Sequence, residues 1–137
     1  MNIDTGVVSS SWRTPYLFNY PMALSPSDAR LAIVFRLPAR LVLFDRSDGR
    51  VLATAPTCGD SDDVYFDAPG RLIYVACGGG SVDVFDVNNS ALRHAGNIPT
   101  APGARTALYV PALDRLFVAA RAQQGMGAAI LVFRPAP

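Results

Sequence analysis

Asp60, Asp62 and Asp63 form the densest group of chemistry-bearing side chains in the chain. Carboxylates crowded in a partly dry opening could hold a hard cation such as calcium or magnesium, because those ions take oxygen ligands. The spacing is not that of an EF-hand loop. The competing account is that these residues cap turns and pair with arginine, and Arg105 stands in the matching loop of a later part of the chain. Arg36, Arg105 and Arg121 fall at related positions, and three guanidinium groups around one opening could grip an anionic ligand with forked hydrogen bonds. Pairing with the aspartates would use up some of that capacity and still leave a polar pocket. Asp60, Asp62, Asp63, Arg36, Arg105 and Arg121 are therefore the candidate ligand-binding residues. No catalytic residue is assigned, no cofactor is expected, and a divalent cation stays open.

Other groups point to structure more than chemistry. Cys58 and Cys77 do not make a disulfide framework. A hairpin turning at Ala68, Pro69 and Gly70 sets Cys77 opposite Ser61, near Cys58 but not on it; free, partly buried thiols are expected, with a bridge left open. His94, the one histidine, lies beside Arg93 on an outer strand and reads as a surface residue. A single histidine also excludes a multi-histidine metal site within one chain. Ser9, Ser10 and Ser11 have no base within reach, so a Ser-His-Asp triad is unsupported. Gly78, Gly79 and Gly80 open a strand, not a helix, and lack the lysine of a phosphate loop. Trp12, Tyr16, Phe18 and Tyr20 read as a plug over the first full repeat.

The elements that position these residues come from a repeat. Apolar runs begin at Arg30, Arg71 and Arg115, offsets of 41 and 44 residues, and each is followed by a turn and a second apolar run. That period suits one four-stranded propeller blade. Strands are expected over 22–25, 31–35, 41–44 and 51–55, then 63–67, 72–77, 82–87 and 92–98, and finally 106–110, 116–120 and 130–133. β-branched and aromatic residues flanked by Gly, Pro and Asn turns favour strands over buried helices. Central strands that are apolar on both sides suit a blade sandwiched between neighbours.

The expected architecture is all-β, a partial β-propeller of about three four-stranded antiparallel sheets in a single domain over residues 1–137. Its parts are a lone outer strand (1–15), blade 1 (16–56), blade 2 (57–99) and blade 3 (100–137), the last without its outer strand. Closed rings have about 4 to 8 blades. The unit is then either half of a dimeric six-bladed ring or part of a longer propeller, and its partners are a second copy or the remaining blades.

Gly59 to Asp67, Arg71 to Gly80 and Pro102 to Thr106 together resemble the YVTN-type β-propeller repeat family. The resemblance covers about residues 4–134. It implies the propeller fold, and it implies a periplasmic or secreted location, because members are exported bacterial proteins of about seven blades, within the usual range of such rings. The chain as written lacks a basic start and an apolar signal core, which points to the cytosol instead.

Composition narrows the function. All twelve basic residues are Arg and all eleven acidic residues are Asp, which removes the usual Lys and Glu of exposed helices. A net charge of +1 with scattered signs argues against nucleic acid. No apolar run of about 18 residues exists for a membrane-spanning helix, so no membrane insertion is expected. The expected function is a non-enzymatic binding or scaffold module that uses its channel-face loops on a small ligand or protein partner. The alternative is a metal-dependent, lactonase-like hydrolase with a divalent cation in the channel.

Overall fold

Eleven strands and one 3-10 turn make up three antiparallel sheets in the computed structural model, which describes residues 6–89 and 91–134. Blade 1 is β1 (Leu17–Leu24), β2 (Arg30–Leu37), β3 (Ala39–Asp45) and β4 (Val51–Pro56), hydrogen-bonded in chain order. Blade 2 is β5 (Ser61–Phe66), β6 (Leu72–Cys77), β7 (Ser81–Asn88) and β8 (Ala91–Pro99), again in chain order. Blade 3 is β9 (Ala107–Val110), β10 (Arg115–Ala120) and β11 (Ala129–Phe133), with β10 in the middle.

The blades stack because their middle strands are apolar on both faces. Strand parity sends alternate residues to opposite neighbours. In β6, Ile73, Val75 and Cys77 join Val34, Leu41 and Leu43 in the seam between blades 1 and 2. Tyr74, from the opposite face of the same strand, joins Tyr109, Leu116 and Val118 in the seam between blades 2 and 3. Cys77 pairs in register with Ser61, as the hairpin reading expects.

The end faces differ from that reading. No strand forms over residues 6–16, and residues 1–5 of the expected outer strand lie outside the described residues. The segment instead roofs the outer face of blade 1. Trp12 stacks on Phe44 with ring centroids 6.4 Å apart, and Tyr16 lies on Phe35 at 5.3 Å. Apolar aromatic residues without period-2 alternation make a better cover than a paired strand. Gly49, at φ +74°, leaves room for the indole: any side chain there would collide with Trp12. Phe18 stays exposed, so the expected plug is made by Trp12 and Tyr16. Among the described residues none roofs the outer face of blade 3, and Leu108, Ile130 and Val132 are exposed.

Candidate functional site

At the end of the blades where β2 finishes and β5 begins, the sequence candidates sort into two sets. Arg36, next to last in β2 and half-buried, donates through Nε and Nη2 to the Ser61 carbonyl at 3.2 and 3.1 Å. Its Nη2 also pairs with Asp62 Oδ1 and lies 3.4 Å from Asp60 Oδ1. Arg105, on the connection from β8 to β9, places Nη1 at 2.5 Å from Asp60 Oδ2 and Nε at 2.7 Å from Asp62 Oδ2. Two carboxylates of blade 2 are thus held between a guanidinium from blade 1 and one that leads into blade 3.

Local backbone makes the arrangement. Asp60 adopts φ +54°, a left-handed conformation that Asp tolerates better than most residues. Gly78 must lack a side chain, since a Cβ there would overlap the Asp60 carboxylate. The Asp60 hydrogen bond, followed by the charges of Asp60 and Asp62, raises the already high pKa of Arg105, which holds it as a cation.

Asp63 and Arg121 do not join this group. Adjacent strand residues face opposite ways, so Asp63 turns toward blade 3 and its Oδ2 accepts the Ala107 N–H at 2.7 Å. Arg121 lies over Gly103, with Nε 2.7 Å from where a Cβ would stand. It borders a cavity of about 530 Å³ with Thr106, Ala119 and Ile130. The three aspartates therefore do not form one ligand set for a hard cation. Two are engaged by guanidinium groups and the third by a backbone amide, and a cation would have to displace those donors.

A larger cavity, about 780 Å³, opens at the opposite end of the strands between blades 2 and 3. Its carboxylates are already committed. Asp67 Oδ1 accepts the Arg71 and Leu72 amides at 2.7 and 2.9 Å, Asp86 pairs with Arg93, and Asp114 accepts the Tyr109 hydroxyl at 3.0 Å. Arg115 donates to the carbonyls of Leu113 and Asp114. Among the described residues, the guanidinium groups of Arg71 and Arg134 on the cavity wall have no such partner. Tyr74 also lines it; the residue is only 2% exposed, and its hydroxyl makes no hydrogen bond. Burial first, then the charge of Asp67, pushes the Tyr74 pKa well above the ordinary value, so the group stays a proton donor. Sequence reasoning passed over this wall because Tyr74 sits inside an apolar run. The signal that could have found it is the basic residue opening the middle strand of each repeat, Arg30, Arg71 and Arg115.

A third cluster lies in the seam of blades 1 and 2. Cys58 and Cys77 form a disulfide with Cα atoms 5.8 Å apart, within the usual span, and not the free thiols expected from sequence. The turn through Gly59 and left-handed Asp60 swings Cys58 back beside the end of β6. Next to the bridge, buried Asp83 accepts the Thr57 hydroxyl and the Cys58 amide, both at 2.9 Å, and the Asn97 side-chain amide at 2.8 Å. His94 is half-exposed with Nε2 3.6 Å from Asp83 Oδ1. The buried position of Asp83 was readable from parity: it shares a strand face with Phe85 and Val87, both in the core.

No family pattern matches the chain, and no curated protein matches it in sequence. Solved structures do. The chain is similar to hydrazine synthase of Kuenenia stuttgartiensis with a TM-score of 0.72 and 17% identity, covering 93% of this chain and 36% of that one. A 6-phosphogluconolactonase-like protein of Bacteroides uniformis gives a TM-score of 0.69 and 18% identity, over 87% and 37% of the two chains. A gluconolactonase of Xanthomonas campestris gives 0.58 and 24%, over 79% and 36%. The chain spans little more than a third of the length of each. At these identities the likeness concerns the fold: these sheets are β-propeller blades.

Proposed function

We propose that this chain is a non-enzymatic binding module built on YVTN-type propeller blades, and that the cavity between blades 2 and 3 takes a small ligand carrying a carboxylate or phosphate group. The observation that carries this reading is the pair of guanidinium groups of Arg71 and Arg134, which line a cavity of about 780 Å³ without a hydrogen-bond partner among the described residues, beside Tyr74, whose buried hydroxyl also lacks one. A buried, unpaired hydroxyl costs about 1–3 kcal/mol, and an acceptor from a ligand removes that cost. With Asp67, Asp86 and Asp114 engaged elsewhere, the remaining donors favour an anion: Arg71 and Arg134 supply forked N–H groups and Tyr74 an O–H. The channel-face residues Arg36, Asp60, Asp62 and Arg105 serve in this reading as a cross-blade clamp.

Calorimetric titration of the oxidised chain with inorganic phosphate and with malonate tests it. Binding of either is expected, weakened at least about tenfold by Arg71→Ala, in line with loss of a charge-assisted hydrogen bond. Tyr74→Phe is the sharper variant. It should melt no lower than the wild type without ligand, yet bind the anion more weakly. Failure of both anions to bind, or equal binding by the wild type and both variants, overturns the proposal.

The lactonase-like alternative draws on the names of two similar structures and requires Asp60, Asp62 and Asp63 to give up their partners to a cation. It would gain if calcium or magnesium raised the melting temperature of the oxidised chain and Asp62→Asn abolished the rise.

A further inference from the structure

The seam between blades 1 and 2 brings three metal-ligating side chains to one spot, with His94 beside the third. Sulfur atoms of Cys58 and Cys77 and a carboxylate oxygen of Asp83 all lie within 4.8 Å of one another. His94 Nε2 stands 3.6 Å from Asp83 Oδ1. Metal–ligand bonds of about 2.0–2.3 Å in a tetrahedral zinc site imply ligand–ligand edges of roughly 3.3–3.8 Å. His94 stands outside that mutually close set and meets it through Asp83.

We propose that reduction of the Cys58–Cys77 disulfide converts this cluster into a site for one zinc-class divalent ion, ligated by Cys58, Cys77 and Asp83 with a solvent molecule in the fourth position, and with His94 as the outer partner of Asp83. Charge is the reason. In the oxidised state the bridged sulfurs are neutral and Asp83 is satisfied by Thr57, Cys58 and Asn97. After reduction both sulfurs are free to act as ligands, and the cation enters by displacing one of those donors from Asp83, the Thr57 hydroxyl being the one that can rotate away. Thiolate is the form that binds such an ion, so uptake releases the two thiol protons.

The chemistry balances with a small thiol as reductant. Its thiolate attacks the Cys58 sulfur and releases Cys77; a second thiol resolves the mixed disulfide and leaves as the oxidised dimer of the reductant. Two electrons and two protons pass to the protein's sulfurs, and the metal then displaces the two protons. Cys58 is the partly exposed member of the pair and Cys77 is fully buried, so attack begins at Cys58. Both states fasten the same pieces: the link between β4 and β5, the end of β6, and the paired strands β7 and β8.

Cobalt(II) is the test ion, because thiolate ligation and tetrahedral geometry each give it a distinct absorption. The full chain is compared in its oxidised form and after phosphine reduction with removal of the reductant under argon. The reduced chain is expected to take up one equivalent of cobalt with thiolate charge-transfer and tetrahedral visible bands, and to lose both on adding zinc; the oxidised chain shows neither. His94→Ala, at a half-exposed position, should weaken cobalt binding at least about tenfold, since losing an outer partner of a ligand costs about 10–100-fold. Cys77→Ser should weaken the charge-transfer band, since one of the two thiolates is lost. A reduced chain with two titratable thiols and no cobalt band overturns the proposal, as does cobalt binding of equal strength in His94→Ala and the wild type.

Discussion

The two seams between blades are built from different chemistry, although the same strand, β6, supplies residues to both. Blade 1 meets blade 2 through aliphatic side chains with Phe66 and Phe85, closed at one end by the Cys58–Cys77 bridge. Blade 2 meets blade 3 through Val82, Leu116 and Val118 together with three tyrosines whose rings are packed; the hydroxyls of Tyr65 and Tyr109 reach polar atoms and that of Tyr74 is buried without a partner. Tyr65 donates to the Ala107 carbonyl at 2.6 Å, and Tyr109 donates to Asp114 and accepts the Ala68 amide. A dry seam depends on shape and on its covalent staple. A seam of phenols depends on those phenols staying protonated, and it leaves room for a ligand.

The largest effect should come from the dry seam. Leu41 is fully buried there, and Leu→Ala at such sites costs about 2.7–5 kcal/mol. Leu41→Ala is therefore expected to lower stability in chemical denaturation by more than any other change considered for either seam. A loss below about 1 kcal/mol would mean that the blades do not pack as a rigid interior.

Reduction comes next. The bridge joins residues 19 positions apart, and the chain-entropy relation gives about 3 kcal/mol for closing a loop of that size. Reductant without metal should lower the denaturation midpoint by a corresponding amount, and zinc should restore part of it. Equal stability of the oxidised and reduced chains would show that the seam closes without its staple.

Much of this architecture was legible before the structure. The strands beginning at Arg30, Arg71 and Arg115 could be read because turns and β-branched runs recur at one period, and their apolar character on both sides placed them between neighbouring blades. The pairing of Arg105 with the acidic loop was legible, because the two occupy matching loops of successive repeats, whereas Arg36 enters from the end of a middle strand. Parity within β5, where Asp62 and Asp63 must diverge, was the step needed to separate them. The disulfide was missed because it depends on a left-handed turn at Asp60 that no strand period encodes. The roof of Trp12 and Tyr16 was legible as a plug and missed as a path, since aromatic residues in an irregular segment do not state which face they cover.

Alkali should distinguish the tyrosine seam. Burial, aided by the Asp63 charge, pushes the Tyr65 pKa up to about 12, and burial also raises those of Tyr74 and Tyr109. Unfolded tyrosine ionises near 10. Between these values the unfolded chain has lost the proton and the folded chain still holds it, so rising pH draws the equilibrium toward unfolding. The stabilisation is complete below pH 10 and declines as pH climbs toward 12. Tyr65→Phe should cost about 1 kcal/mol at neutral pH, the usual net value of a hydrogen bond, and should make the decline shallower. An identical slope in the variant would separate Tyr65 from the alkaline transition.

The smallest effect belongs to the clamp that crosses both seams. Arg36 is only a quarter exposed and bonds the Ser61 carbonyl as well as Asp62. Arg105 and its partners Asp60 and Asp62 are more open to water. Exposed ion pairs contribute little and are screened by salt, whereas a hydrogen bond to a half-buried carbonyl is less sensitive to it. Arg36→Ala should therefore destabilise by about 1 kcal/mol with most of the loss persisting in concentrated sodium chloride. The loss in Arg105→Ala should be smaller and should vanish there. If both variants lost their effect in salt to the same degree, the clamp would be electrostatic alone, and the Ser61 carbonyl would contribute nothing to holding blade 1 against blade 2.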